Sequence, residues 1–362
     1  MIRTTDPGYY DRMKATMNAL VLEENARLVY RETGFPERPG EEWALLKVAG
    51  SGICGSDIQR GFEGKSYLYP LVMGHEFSAV VEEPGSSGGY ARGDRVTAFP
   101  LLPCYRCIPC QSGDYAQCTD YDYLGSRQDG AFAEYVYVPE GNLFRLPDHV
   151  DLIHAAMTEP AAVALHGVRR LEIDPGYTAA VYGAGPIGNM VAQWLRISGC
   201  RQVILVDIDR RKLDLARGMG FDTVDSKEND PVEAVHELTG GYGADCVVES
   251  CGLPVTFLQA VNSTGRGGQT IFLGNIRGTF SIGEKDFSNI LRKEIVIRGT
   301  WNSKVTPKGK DDWTTVLDYM DRELDVAPLI SHTPPLSEGA RMFRAIVDGT
   351  DYVNKAIFDL TG

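Results

Sequence analysis

From Asn18 onward, apolar residues come in short runs broken by glycine and proline. Residues 19–22, 44–49, 79–82, 94–98 and 132–138 are such runs, each four to seven positions long. Short β-rich runs bounded by turn residues predict strands, and several in succession predict an antiparallel body of barrel or sandwich type. The pattern changes after about Asp151. A helical stretch over 152–170 is followed by strands at 179–182, 203–206, 245–249 and 270–273. Helices predicted over 186–198, 210–219 and 254–263 fall between them. That alternation predicts parallel βαβ units in a doubly wound sheet. From about Thr300, a helix over 313–321 and a last strand over 355–359 return to the first body. The fold class is therefore α/β, with a β-rich domain over 17–163 continued by 300–362. A dinucleotide-binding domain over 164–299 is inserted in it, and an N-terminal extension covers 1–16.

Composition narrows the function classes. A chain of 362 residues exceeds one ordinary core, and its 43% hydrophobic and 23% charged residues describe a soluble globular protein. The net charge of −13 argues against general nucleic-acid binding. A local arginine or lysine pocket can still accept an anionic substrate. No apolar stretch approaches the length of a membrane span, and the first residues carry no hydrophobic signal core. A cytoplasmic setting is expected.

A nucleotide signal follows the first strand of the alternating region. In Tyr182-Gly183-Ala184-Gly185-Pro186-Ile187-Gly188, Gly183 allows a tight turn, Gly185 admits a pyrophosphate to the backbone and Gly188 brings helix and strand together. The start of the helix offers free N–H groups to the phosphates, with Pro186 and Ile187 in its first turn. Asp207 stands 19 residues after Gly188, at the end of the second strand. Its carboxylate suits ribose hydroxyls and repels a 2′-phosphate, so the expected cofactor is NAD. Arg210 and Arg211 lie near enough to blur that choice, but are read as solvated helix surface.

Cysteine supplies the metal signal. Four of eight cysteines, Cys104, Cys107, Cys110 and Cys118, share one short excursion. Four thiolates suit a closed tetrahedral zinc, which is structural. Two disulfides or an iron–sulfur cluster are the competing readings; the first requires an oxidising compartment. Elsewhere Cys54-Gly-Ser56-Asp57, Gly74-His75-Glu76 and Glu159-Pro160 carry zinc-competent side chains. Spacing alone does not assemble them.

Taken jointly, these motifs closely resemble the zinc-dependent medium-chain alcohol/polyol dehydrogenase family, from about Met17 to the C-terminus. The resemblance implies a GroES-like catalytic domain interrupted by a Rossmann domain, and two zinc ions per chain. It assigns Cys54, His75 and Glu159 to a catalytic zinc, with Glu76 as a neighbouring or exchangeable ligand. A glutamate at the third position looks like the sorbitol dehydrogenase branch. Ser56 would relay the hydroxyl proton, and Asp57 would orient His75. Many relatives carry histidine three positions after the relay residue, where this chain has Gln59, so the end of the relay is left open.

Residues 99–104, 123–135, 290–294 and 299–302 are similar to galactitol-1-phosphate 5-dehydrogenases, which oxidise a secondary hydroxyl of a hexitol phosphate to the ketose. Arg127, Arg292 and Lys293 are the cations of these segments that a phosphate would meet, the last two also reading as a solvated pair. A free polyol, a vicinal diol or a 3-hydroxy amino acid would use the same zinc and cofactor. A zinc-free reductase on this architecture would leave Cys54, His75 and Glu159 unused, and an NAD-binding protein without turnover is the non-enzyme reading. The expected partners are a small-molecule substrate and further copies of the chain, as homodimer or homotetramer.

Overall fold

The computed structural model describes residues 16–306 and 310–361, and its contacts divide the chain into two compact units. Residues 1–15 of the expected extension lie outside the described residues. The first unit runs to Glu159 and takes in Val305–Asp321 and Ile330 onward. The second comprises Pro160–Lys304 and Arg322–Leu329.

The first unit opens with β1 (Thr16–Glu24), β2 (Arg27–Gly34), β3 (Trp43–Gly52), α1 (Gly55–Phe62), β4 (Leu71–Val72) and β5 (Glu76–Glu83). It continues through β6 (Arg95–Ala98), β7 (Leu101–Leu102), α2 (Ile108–Gln111), β8 (Asp122–Tyr123), β9 (Tyr135–Pro139) and β10 (Leu143–Arg145). One antiparallel sheet runs β2-β1-β4; a second runs β10-β6-β5-β3 and also receives β9 on β3. Bulges at Leu45/Leu46 and Val48/Gly50 interrupt the β3–β5 register, a device that bends a strand. Each sheet has its own apolar core. Leu20, Leu22, Met73 and Phe132 belong to one, and Val48, Phe77, Val96 and Val138 to the other.

The helical stretch expected over 152–170 is broken into α3 (Leu152–Ala155) and α4 (Thr158–Val168). Asp151 caps the first by accepting from the Ile153 and His154 N–H groups at 2.7 and 3.3 Å. Pro160 explains the break: it has no N–H to give to the Ala156 carbonyl, so it is tolerated only in the first turn of a new helix.

The second unit alternates as expected. Its strands are β11 (Thr178–Tyr182), β12 (Gln202–Asp207), β13 (Asp222–Asp225), β14 (Ala244–Glu249), β15 (Thr264–Phe272) and β16 (Val296–Gly299). Its helices are α5 (Pro186–Ile197), α6 (Arg210–Gly218), α7 (Pro231–Leu238), α8 (Pro254–Ser263) and α9 (Glu284–Lys293). The strands form one parallel sheet in the order β13-β12-β11-β14-β15-β16. That order, third-second-first-fourth-fifth-sixth, is the doubly wound arrangement, with a crevice where the order reverses beside β11. β11 is buried along its whole length, as a parallel strand covered on both faces should be.

The chain then returns to the first unit with α10 (Asp312–Tyr319), α11 (Gly339–Asp348) and β17 (Ile357–Asp359). β17 pairs antiparallel with the end of β3, Ile357 opposite Gly52. Residues 322–329 stay with the second unit because the Gln193 side chain binds both backbone groups of Asp325, at 2.8 and 2.9 Å. Among the described residues, no helix is long and apolar enough to cross a membrane.

Candidate active site and metal centres

β3 delivers Cys54 to the start of α1, where its backbone is still extended (φ −92°, ψ 152°). The Asp57 carboxylate accepts from the Cys54 N–H at 3.0 Å and so fixes this turn. His75 enters from the loop before β5. Gly74 has a φ of +96°, and a Cβ there would lie 2.6 Å from the Phe132 ring. A Cβ at Gly125 or Gly130 would come within 2.6 or 2.1 Å of the Gly74 carbonyl oxygen. Three glycines thus stack backbone on backbone, and the turn after β8 lies directly against the His75 segment.

The structure brings Cys54, His75 and Glu76 together: their ligand atoms all lie within 4.8 Å of one another. Glu159 stands outside that triplet, at the start of α4, where its Oε1 accepts from the Tyr123 hydroxyl at 3.3 Å. The Tyr123 ring packs edge-on to His75 with centroids 5.7 Å apart. His75 Nδ1 lies 3.4 Å from Asp57 Oδ1, too far and too oblique for an aligned hydrogen bond. Asp57 is fully buried and also accepts from Arg60 Nη1 at 2.9 Å, while the same nitrogen donates to Ser56 Oγ at 3.0 Å. Glu76 is not free. Its Oε2 is ion-paired with Lys355, whose Nζ also donates to the Ile53 carbonyl at 3.0 Å.

The electrostatics fit a cation. Burial pushes the Glu159 carboxyl up to about 7, and Glu76 adds to the shift while His75, Lys355 and Tyr123 oppose it. Burial works against a charged His75, yet the attraction of Asp57 and Cys54 outweighs it and holds the imidazole well above its ordinary range. Burial also works against charge on Lys355, and Glu76 and Cys54 outweigh it. The upward shift of His75 reflects the acidic groups around it, whereas that of Glu159 comes first from burial. A divalent ion bound to these groups would replace their protons.

The second cluster is local. Cys104, Cys107, Cys110 and Cys118 place four sulfurs within 4.8 Å of one another around α2. Cys118 Sγ accepts from the Cys104 N–H at 3.2 Å. All eight cysteines are free thiols, so the disulfide reading of this run falls. Backbone N–H groups of Thr119 and Cys110 pull the Cys107 thiol down to about 6, while burial pushes Cys110 up to about 12. Four sulfurs this close together, with neighbouring N–H donors, suit a closed structural zinc.

In the second unit, the β11–α5 turn has the shape the glycines require. Gly183 has a φ of +104°, and a Cβ there would lie 2.7 Å from Ser250 Oγ. A Cβ at Gly188 would lie 1.8 Å from the Gly183 carbonyl oxygen. At Gly185 nothing lies within 4 Å of that position, which is the open approach a pyrophosphate needs. Pro186 and Ile187 begin α5, and Asn189 braces the turn by donating to the Ala184 and Gly185 carbonyls at 2.6 and 3.1 Å. Asp207 accepts from the Ala184, Ile208 and Asp209 N–H groups at 2.7 to 2.9 Å. Arg210 is paired with Asp225 and Glu228, and Arg211 with Asp209.

Three residues at the first centre carried no signal of their own in the sequence. Arg60 was within reach of one: it follows Ser56 and Asp57 by one helical turn, the spacing at which helix side chains meet. Tyr123 and Lys355 are brought in from distant segments, and no local pattern marks them.

Known proteins bear on the same regions. The alcohol dehydrogenase GroES-like domain matches residues 40–148, and the zinc-binding dehydrogenase model matches residues 186–322. The chain is 32% identical to galactitol 1-phosphate 5-dehydrogenase of Escherichia coli K12 over 91% of its own length and 96% of that protein. The crystal structure of galactitol-1-phosphate dehydrogenase from Escherichia coli superposes with a TM-score of 0.88 at 32% identity, covering 95% of this chain and 100% of that one. A zinc-binding dehydrogenase of Sinorhizobium meliloti 1021, solved bound to NADP, gives a TM-score of 0.86 at 31% identity over 96% and 100% of the two chains. With a GroES-like body, a doubly wound nucleotide-binding sheet and a four-thiol cluster suited to zinc, the chain belongs to the zinc-binding alcohol and polyol dehydrogenases, a family of NAD(P)-dependent oxidoreductases.

Proposed function

We propose that the chain oxidises a secondary hydroxyl of a polyol phosphate to the ketose, with NAD as hydride acceptor, at a zinc held by Cys54, His75 and Glu159. The observation that carries this reading is the Lys355–Glu76 ion pair. It occupies Glu76 Oε2 and so supports Glu159, a buried acid that accepts a hydrogen bond from the Tyr123 hydroxyl, as the third ligand. Zinc in that position would act as a Lewis acid on the substrate hydroxyl and lower its pKa.

The chain's own groups then manage the proton. Arg60 donates to one lone pair of Ser56 Oγ, and a permanent cation beside that oxygen disfavours a doubly protonated hydroxyl. Ser56 therefore takes the substrate proton only as it releases its own. Gln59 cannot be the terminus, because its amide does not titrate and its Oε1 accepts from Lys65 at 3.3 Å. Asp57, held by Arg60 and the Cys54 N–H, stands with its charge 3.4 Å from His75 Nδ1, where it would orient the ring once a metal is bound.

Asp207, anchored by three N–H groups, presents a carboxylate where an adenosine ribose would lie. Arg210 and Arg211 are each paired with carboxylates and so are less available to a 2′-phosphate, which supports NAD over NADP. The outer edge of the parallel sheet supports a homo-oligomer, dimer or tetramer: Val296, Ile297 and Trp301 are exposed along it.

Zinc-loaded protein should reduce NAD with galactitol 1-phosphate faster than with galactitol, sorbitol, butane-2,3-diol or threonine. No NADH from any of them, with both zinc sites filled, would overturn the reading. A preference for threonine or a free polyol would retain the chemistry and replace the substrate.

A further inference from the structure

The segments that look like polyol-phosphate enzymes contain three cations, and the structure separates them. Lys293 Nζ is committed to the carbonyls of Asn262 and Thr264, at 3.2 and 2.8 Å. Arg292 donates to Ser288 Oγ at 3.0 Å on an exposed helix face. Arg127 lies instead in the turn stacked on the His75 segment. Its backbone N–H donates to the Tyr123 carbonyl at 2.9 Å, and the Tyr121 and Tyr123 rings pack edge-on with centroids 6.4 Å apart.

Its guanidinium sits between two aromatic faces, 4.4 Å from the Tyr121 ring centre and 4.9 Å from that of Tyr67. Nη1 donates to the Tyr121 carbonyl at 3.0 Å. Among the described residues, no carboxylate lies within ion-pair distance of it. Arg60, by contrast, is neutralised by the buried Asp57. A guanidinium stacked in this way keeps its full charge and has Nε and Nη2 left for an oxyanion. Bidentate donation from such a fork suits a phosphate.

We propose that Arg127, clamped between Tyr67 and Tyr121, is the phosphate-binding residue of the substrate site and sets the preference for phosphorylated over free polyols. The inference rests on the reading that the Cys54–His75 centre oxidises a polyol. It adds a residue that selects among polyols without touching the reacting carbon.

The test compares kcat/KM for galactitol 1-phosphate and galactitol in the zinc-loaded wild type, Arg127→Ala and Arg127→Lys. Arg127→Ala should lower the ratio of the two about tenfold to a hundredfold, the scale of a lost charge-assisted hydrogen-bond pair. Arg127→Lys, which keeps the charge but not the fork, should fall between. Inorganic phosphate titrated into the same three proteins by calorimetry gives a second reading without turnover: wild type should bind it and Arg127→Ala should not. Two kcat/KM values that fall in step, or equal phosphate binding by wild type and Arg127→Ala, would overturn the assignment. If the wild type oxidises neither polyol, the proposed function fails, and the phosphate titration alone then decides the role of Arg127.

Discussion

The four-cysteine lobe and the Cys54–His75 centre lie in one unit and are built on opposite plans. The lobe draws four like ligands from one short stretch of chain, two buried and two half-buried, around a single-turn helix. The other centre gathers unlike side chains, Cys54, His75 and Glu76, with Glu159 placed nearby through Tyr123 and Lys355 brought from the far end of the chain to pair with Glu76. In the lobe, the metal would organise the chain; at the centre, the folded chain would organise the metal. One site should therefore fail as structure, and the other as chemistry.

That contrast can be broken in steps. The largest effect belongs to the lobe. Structural zinc contributes roughly 10–16 kcal/mol of apparent binding free energy in small domains, so Cys107→Ser should cost a large share of the protein's stability. Calorimetry should show a lower melting temperature and one zinc lost; an unchanged melting curve would remove the structural role. Cys54→Ser should do the reverse. Turnover should fall by about a thousandfold or more, several kcal/mol of transition-state stabilisation, while the melting temperature scarcely moves. A collapse of stability instead would make the two sites alike.

Lys355→Met tests the closure of the centre. It leaves Glu76 buried with no counter-charge, a loss of about 3–5 kcal/mol in denaturant unfolding. A neutral result would mean that Glu76 finds another partner. Asp57→Asn is the mildest change. Removing the charge behind His75 should cost about 10–100-fold in zinc affinity or kcat, read by competition with a chelator. An unaltered zinc affinity and kcat would deprive Asp57 of its role.

The same contrast governs what could be read from the chain beforehand. The lobe is legible because its ligands are close in sequence. Cys54, His75 and Glu159 became a site only through family resemblance, and Lys355 by nothing at all, since 279 positions separate it from Glu76. In the second unit, β11, β12 and β14 were legible as continuous apolar runs, the pattern of strands buried on both faces. β13 escaped because Asp222-Thr-Val-Asp225 is short and mostly polar, and β16 because its residues are largely exposed. β2 alternates half-buried and exposed positions, several of them charged, and so lacks an apolar run.

The stack of Gly74, Gly125 and Gly130 has a consequence for anyone who would re-engineer this enzyme. With bare backbone against bare backbone, nothing between the His75 segment and the turn after β8 can yield. A loop redesigned for a new substrate would inherit its position from His75. A single methyl group at Gly130 would press directly on the Gly74 carbonyl, next to His75. The paths of these two segments are fixed to each other, and they can be altered separately only through side chains.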